Sequence, residues 1–152
     1  MLIGVPKETW AGELRTALVP QNAKKFIDLG LSIVVETETG VASGYTDSMY
    51  EEVGVKISQD KAEVLGADLV MRVRKPSVAE LQLVKKEAVN ISFLDPFNEK
   101  ELVQDMATRG IQGISMEMIP RSTRAQKMDA MSSQANLAGY VTVIQAAFHS
   151  PK

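Results

Sequence analysis

Short apolar runs rich in branched residues alternate along this chain with amphipathic stretches, a pattern that predicts strands separated by helices. Leu2 to Val5 reads as a first strand ended by Pro6. A loop through Gly12 and Arg15 leads to Ala17-Leu18-Val19-Pro20, where the proline suits the first turn of a helix. Ala23, Phe26, Ile27 and Leu29 then fall on one helical face, and Gly30 is placed as a C-terminal stop. Leu31 to Glu36 reads as the second strand. Gly40 to Gly44 reads as a loop, and Thr46 or Asp47 caps a short helix ending near Gly54. Val55 to Ile57 is a short strand, and Lys61 to Leu65 a short helix stopped by Gly66. Asp68 to Val73 is the next strand, closed by Pro76. Ser77-Val78-Ala79-Glu80 has the spacing of a capping box and opens a helix through Leu81 and Val84. Val89 to Leu94 is a strand closed by Pro96, and Asn98 opens a helix with Leu102, Val103 and Met106 inward, ending at Arg109-Gly110. Ile111 to Met116 is the last strand. After a polar stretch from Arg121 to Lys127, a long helix is predicted from Met131 to Phe148, with Leu137, Val141, Ile144 and Phe148 forming one apolar stripe.

Strands separated by helices of this length pack as a parallel sheet with helices on both faces. The expected architecture is a three-layer α/β sandwich with a mainly parallel sheet, flavodoxin-like, ending in a long C-terminal helix. The division expected is an α/β domain over 1–130 and the helix over 131–152. No internal repeat, low-complexity segment or linker interrupts the chain.

Composition narrows the chemistry. A chain of 152 residues with 45% hydrophobic and 24% charged residues is that of a soluble globular protein. Lys+Arg 17 against Asp+Glu 19 leaves a net charge of -2, without the basic excess of a nucleic-acid or anionic-membrane binder. With no cysteine, disulfides, thiolate metal sites and a cysteine nucleophile are excluded. The single histidine, His149, near the end of the chain, argues against a histidine metal cluster or a Ser-His-Asp centre. The start lacks a signal peptide's pattern, and no apolar run approaches the roughly 20 residues that span a bilayer. A cytoplasmic protein with no metal, no nucleic acid and no direct membrane insertion is expected.

The glycines exclude more. None of the ten stands two residues from another, so G-x-G-x-x-G is absent, and G-x-x-x-x-G-K-[ST] is missing too. The chain carries no phosphate-cradling loop of either kind. The positive feature is the segment from Pro120 to Gln134, which follows the last strand and leads into the long helix. It gathers the guanidinium groups of Arg121 and Arg124, the Gln126 amide, the Asp129 carboxylate and several hydroxyls. Such groups can bind a carboxamide, ribose hydroxyls or phosphate through directed hydrogen bonds. The same residues also suit a solvated loop in which Asp129 or Ser132 is an ordinary N-cap.

Pro120-Arg121-Ser122-Thr123-Arg124-Ala125-Gln126 and the run from Met128 to Tyr140 resemble one segment of the alpha subunit of proton-translocating NAD(P) transhydrogenases, in its NAD(H)-binding domain I. Ile3-Gly4-Val5-Pro6-Lys7-Glu8 with Arg15 is similar to the start of that subunit and of the related alanine dehydrogenases. Val35-Glu36 with Gly40, and Ala67-Asp68, extend the likeness over nearly the whole chain. The resemblance implies a polar set of Arg121, Gln126, Asp129 and Ser132 against the nicotinamide and its ribose. Arg121 would reach the carboxamide or nearby oxygens, Gln126 would bridge two nicotinamides across the interface with an NADP(H) component, and Asp129 and Ser132 would fix the ring's orientation. No side chain need act as acid or base, because the cofactor carries the hydride. The implied function is the NAD(H)-side component of a transhydrogenase, peripheral at the inner membrane through NADP-binding and membrane subunits.

Two departures qualify that expectation. Complete family members continue from the long helix into a Rossmann domain, so NAD(H) binding by this chain is expected to be weak or absent, with the isolated chain inactive and dependent on an NAD-binding domain or subunit. Alanine dehydrogenases use an arginine, a lysine and a histidine around their substrate; Arg15 fits, but Arg74 stands at the lysine position and Asp95 at the histidine position. Arginine does not exchange protons as lysine does, which disfavours an amino-acid dehydrogenase. A non-catalytic dimeric binding module is the alternative of another class. A homodimer is expected on either reading, because Val141, Ile144 and Phe148 need cover.

Overall fold

The computed structural model describes residues 1–150, and the chain falls into two compact units, Met1–Ser115 and a second beginning at Met116. In the first unit, strands β1 (Leu2–Val5), β2 (Ser32–Glu36), β3 (Lys56–Ser58), β4 (Leu69–Arg74), β5 (Val89–Phe93) and β6 (Gln112–Ser115) alternate with helices α1 (Pro20–Asp28), α2 (Asp47–Glu51), α3 (Lys61–Leu65), α4 (Val78–Leu81) and α5 (Lys100–Thr108). The six strands form one sheet in the order β3-β2-β1-β4-β5-β6, and every pairing is parallel. Within the doubly wound class this is the order that reverses between β1 and β4, rather than the 2-1-3-4-5 order of flavodoxin.

Alternation along the strands sends side chains to two cores. Ile3, Val5, Ile33 and Val35 pack with Leu18, Ala23 of α1, Tyr50 of α2 and Val55 on one face. Val70 of β4 points the other way, into a cluster with Leu65 of α3, Leu81 of α4, and Leu102 and Met106 of α5. Gly4 is needed where α3 crosses β1: a Cβ there would stand 1.9 Å from the Val64 carbonyl oxygen.

Local signals account for most element ends. Pro20 opens α1, and Gly30 follows it with φ 82. Ser77 and Glu80 close a reciprocal capping box on α4. Three expectations are corrected. Leu29 is exposed, because it stands at the C-cap of α1, past the last helical turn. Val103 of α5 is also exposed, since Leu102 and Met106 define the buried side. Asn98 does not open α5; it donates to the Asp95 carboxylate in the preceding turn, and Glu99 stands at the N-cap.

In the second unit, two short 3₁₀ turns (Met116–Met118 and Gln126–Met128) precede α6 (Ala130–His149). Its 20 residues carry no charged side chain before His149. Leu137, Val141, Ile144 and Phe148 are 50 to 81% exposed. No helix among the described residues is long and apolar enough to cross a membrane.

Candidate functional site

The segment between the two 3₁₀ turns and α6 folds on itself through serine and aspartate side chains. Ser122 accepts at its carbonyl from the N–H groups of Ala125 and Gln126 (3.0 and 2.9 Å), and its hydroxyl also accepts from Ala125. These bonds wrap the chain into the second 3₁₀ turn and bury Ala125. Asp129 then caps α6. Its Oδ1 accepts from the Ser132 N–H (3.1 Å) and its Oδ2 from the Ser132 hydroxyl (2.6 Å). Those two bonds, with the positive charge of Arg121, hold the Asp129 carboxyl below its usual range, so it stays ionised.

This turn encloses a cavity of about 280 Å³ lined by Arg121, Ser122, Thr123, Gln126, Asp129 and Ser132. All four residues singled out by the sequence therefore line one concavity. Ser122 and Thr123 complete it; their hydroxyls belong to the same polar segment, but nothing in the sequence gives them a role of their own. The arrangement divides the labour. Asp129 and Ser132 satisfy each other, whereas the Arg121 guanidinium and the Gln126 amide have no hydrogen-bond partner among the described residues. The cavity thus offers a cation, an amide and hydroxyls beside a fixed carboxylate, a set suited to a neutral polar ring or a sugar.

The residues that would have marked an amino-acid site lie in the first unit. Glu13 accepts from Arg15 (Nε to Oε1 and Nη2 to Oε2, both 2.7 Å) and from Arg74 (Nε to Oε2, 2.7 Å). These bonds, Arg15 foremost, hold the Glu13 carboxyl down at about 2. Both guanidiniums thus face a carboxylate of the chain itself. Asp95 stands in the turn after β5 with φ 52, accepting from Asn98 (2.8 Å). Among the described residues no group of three His, Cys, Asp or Glu side chains is placed to hold a metal.

Fold and cavity together define an α/β protein with an all-parallel sheet and a polar cavity at the entry of a long helix. The sequence matches the profile of the alanine dehydrogenase/PNT N-terminal domain family over residues 4–138, and the chain belongs to that family. It is 40% identical over 147 residues to an NAD(P) transhydrogenase subunit alpha from Cereibacter sphaeroides, covering 96% of this chain and 28% of that one. It is 36% identical over 150 residues to alanine dehydrogenase 1 of Staphylococcus aureus, covering 99% of this chain and 39% of that one. The crystal structure of a transhydrogenase from Sinorhizobium meliloti superposes with a TM-score of 0.93 at 38% identity, covering 100% of this chain and 46% of that one. The chain spans between 28 and 41% of the length of the transhydrogenase alpha-subunit relatives it matches.

Proposed function

We propose that this chain serves as the NAD(H)-side component of an NAD(P) transhydrogenase, with the cavity at the entry of α6 receiving the nicotinamide end of NAD(H). The observation that carries this reading is the convergence of Arg121, Gln126, Asp129 and Ser132 on one cavity. The donor set fits the group: Arg121 and Gln126 are available to the carboxamide and ribose oxygens, while Ser132 and Asp129 brace each other at the head of α6. When bound, the nicotinamide supplies the hydride chemistry. The chain's own residues then have to hold the ring in one orientation, where proximity and alignment set the rate. The cavity's volume suits one end of a dinucleotide, and the sequence has no glycine cradle for its phosphates. Adenosine and pyrophosphate are therefore held by polypeptide beyond this domain, and NADP-binding and membrane subunits complete the assembly.

Two experiments test the reading. Calorimetry with NADH on the 152-residue chain is expected to show millimolar affinity or none; tight, stoichiometric binding overturns the dependence on further polypeptide. In a reconstituted complex, Asp129→Asn together with Arg121→Ala is expected to lower transhydrogenation at least tenfold, an effect of about 1.4 kcal/mol on the barrier. Unchanged turnover rules out the cavity as the nicotinamide site. The amino-acid dehydrogenase reading is disfavoured by the commitment of Arg15 and Arg74 to Glu13, and NADH oxidation with pyruvate and ammonia should be absent.

A further inference from the structure

The segment joining β1 to α1 runs across the carboxyl ends of β1 and β4, the neighbours at which the sheet order reverses. In open α/β sheets that crevice is where ligands enter. The segment's ends are rooted: Pro6 is fully buried, Leu18 is 3% exposed, and the Tyr50 hydroxyl donates to the Leu18 carbonyl at 2.7 Å. Its middle is different. Trp10 is 46% and Leu14 63% exposed, so little apolar surface holds it down. Among the described residues no main-chain to main-chain hydrogen bond joins residues 7–18 to the sheet.

Side chains pin it instead: the Lys7 N–H donates to the Glu36 carboxylate of β2 (2.8 Å), the Ser43 hydroxyl donates to the Leu14 carbonyl (2.6 Å), and the other bonds reach β4. Glu8 accepts from the N–H groups of Val73 (2.5 Å) and Arg74 (3.2 Å), where the pairing of β4 with β5 shifts register between Met71 and Arg74. Its carboxylate thus serves backbone donors at an irregularity of the ladder. Glu13 takes the Arg74 and Arg15 guanidiniums. Trp10 donates from Nε1 to the Lys75 carbonyl (3.4 Å), and the Lys75 ammonium stands 5.3 Å from its ring centroid while pairing with Glu99. The charged groups acting on Glu8 are Arg72 of β4, and Glu13 and Arg15 of the segment itself. Burial outweighs the bonds it accepts and pushes the Glu8 carboxyl up, whereas the arginines hold the Glu13 carboxyl down.

We propose that residues 7–17 form a lid over the crevice between β1 and β4, hinged at the buried Pro6 and Leu18, and that the Glu8 and Glu13 pins release together as one body. A loop with buried ends, an exposed middle and polar latches belongs to the low-stability end of a fold, where such openings occur. This inference is independent of the nicotinamide reading.

The test is whether cutting one pin loosens the other. Trp10 is the only tryptophan, so acrylamide quenching reports the lid directly. Glu13→Gln is expected to speed hydrogen exchange at the Val73 amide, which Glu8 holds, by roughly tenfold and to raise Trp10 quenching, with β5 amides unchanged. Glu8→Gln is expected to do the same at the Arg74 Nε–H, which donates to Glu13 at 2.7 Å and ties it to β4. Variants that loosen only their own contacts overturn the single-body lid. In the unaltered chain, exchange in low denaturant supplies a reading that needs no variant. The Val73 amide and the Arg74 Nε–H, held by Glu8 and Glu13 respectively, should share one opening free energy and one denaturant slope, and unequal slopes overturn the proposal.

Discussion

Glu80 shows how one side chain can serve helix and sheet together. It closes the capping box on α4 through the Ser77 N–H (2.9 Å), and faces the buried Arg72 Nη1 and the Lys61 ammonium, both at 3.1 Å. Burial works against its charge, but Ser77, Arg72 and Lys61 outweigh it and hold the carboxyl down at about 2. A carboxyl depressed in the folded state stabilises above its unfolded value near 4.5 and loses that contribution as pH falls toward 2. Glu80 is therefore expected to contribute about 3 kcal/mol at neutral pH, vanishing across that window, as read from urea midpoints at pH 6 and pH 2.5. Glu80→Gln should cost about 3 to 5 kcal/mol at neutral pH, because it leaves Arg72 buried without its counter-charge. It should also shrink the acid dependence without abolishing it, since Glu13 is lowered over the same range. The capping box is legible from Ser77 and Glu80 alone; the Arg72 and Lys61 partnership is not, because it joins residues from three separate elements.

Among elements, the strands are closely legible because each is a short apolar run bounded by proline, glycine or polar residues, a signal written locally. The strand β1 falls where expected, and the others shift by a residue or two at their ends. What the pattern does not carry is contact between elements. Gly4 reads as one small residue inside a strand, but the chain requires it because α3 lies directly against it. Gly4→Ala is expected to cost about 3 kcal/mol or more, since the added methyl meets the backbone carbonyl of Val64, which no rotamer change can relieve. A thermal melt of the soluble variant, or its failure to fold, checks this; an unchanged midpoint contradicts the close approach of α3. The entry of α6 is legible as a polar run before an apolar one. Its closure into a cavity depends on Asp129 accepting from Ser132 and on Ser122 accepting from Ala125, each three residues further on.

At the scale of the whole molecule, the cover over the sheet is uneven. Helices α3, α4 and α5 serve one core and α1 and α2 the other. On the face shared by Leu69 and Met71, the β5 residues Val89, Ile91 and Phe93 are only half-buried, and Ile114 of β6 is 46% exposed. All-parallel sheets almost always have both faces covered. Together with the uncharged length of α6, this supports the expected homodimer or a larger assembly. Light scattering on the purified chain should give a mass of at least two copies, and a clean monomer at tens of micromolar counts against self-association.

The amino-acid sequence by itself determined the order and kind of the elements, the lack of cysteine and of a glycine-rich phosphate motif, and the residues Arg121, Gln126, Asp129 and Ser132 as a candidate set. Those are local properties: periodicity, composition and short spacing survive without a three-dimensional frame. Only the tertiary structure decided that the sheet reverses between β1 and β4, that the four polar residues line one cavity, and that Glu13 occupies both Arg15 and Arg74. These depend on which distant residues come within bonding distance, which packing and strand register fix and no single stretch of chain encodes.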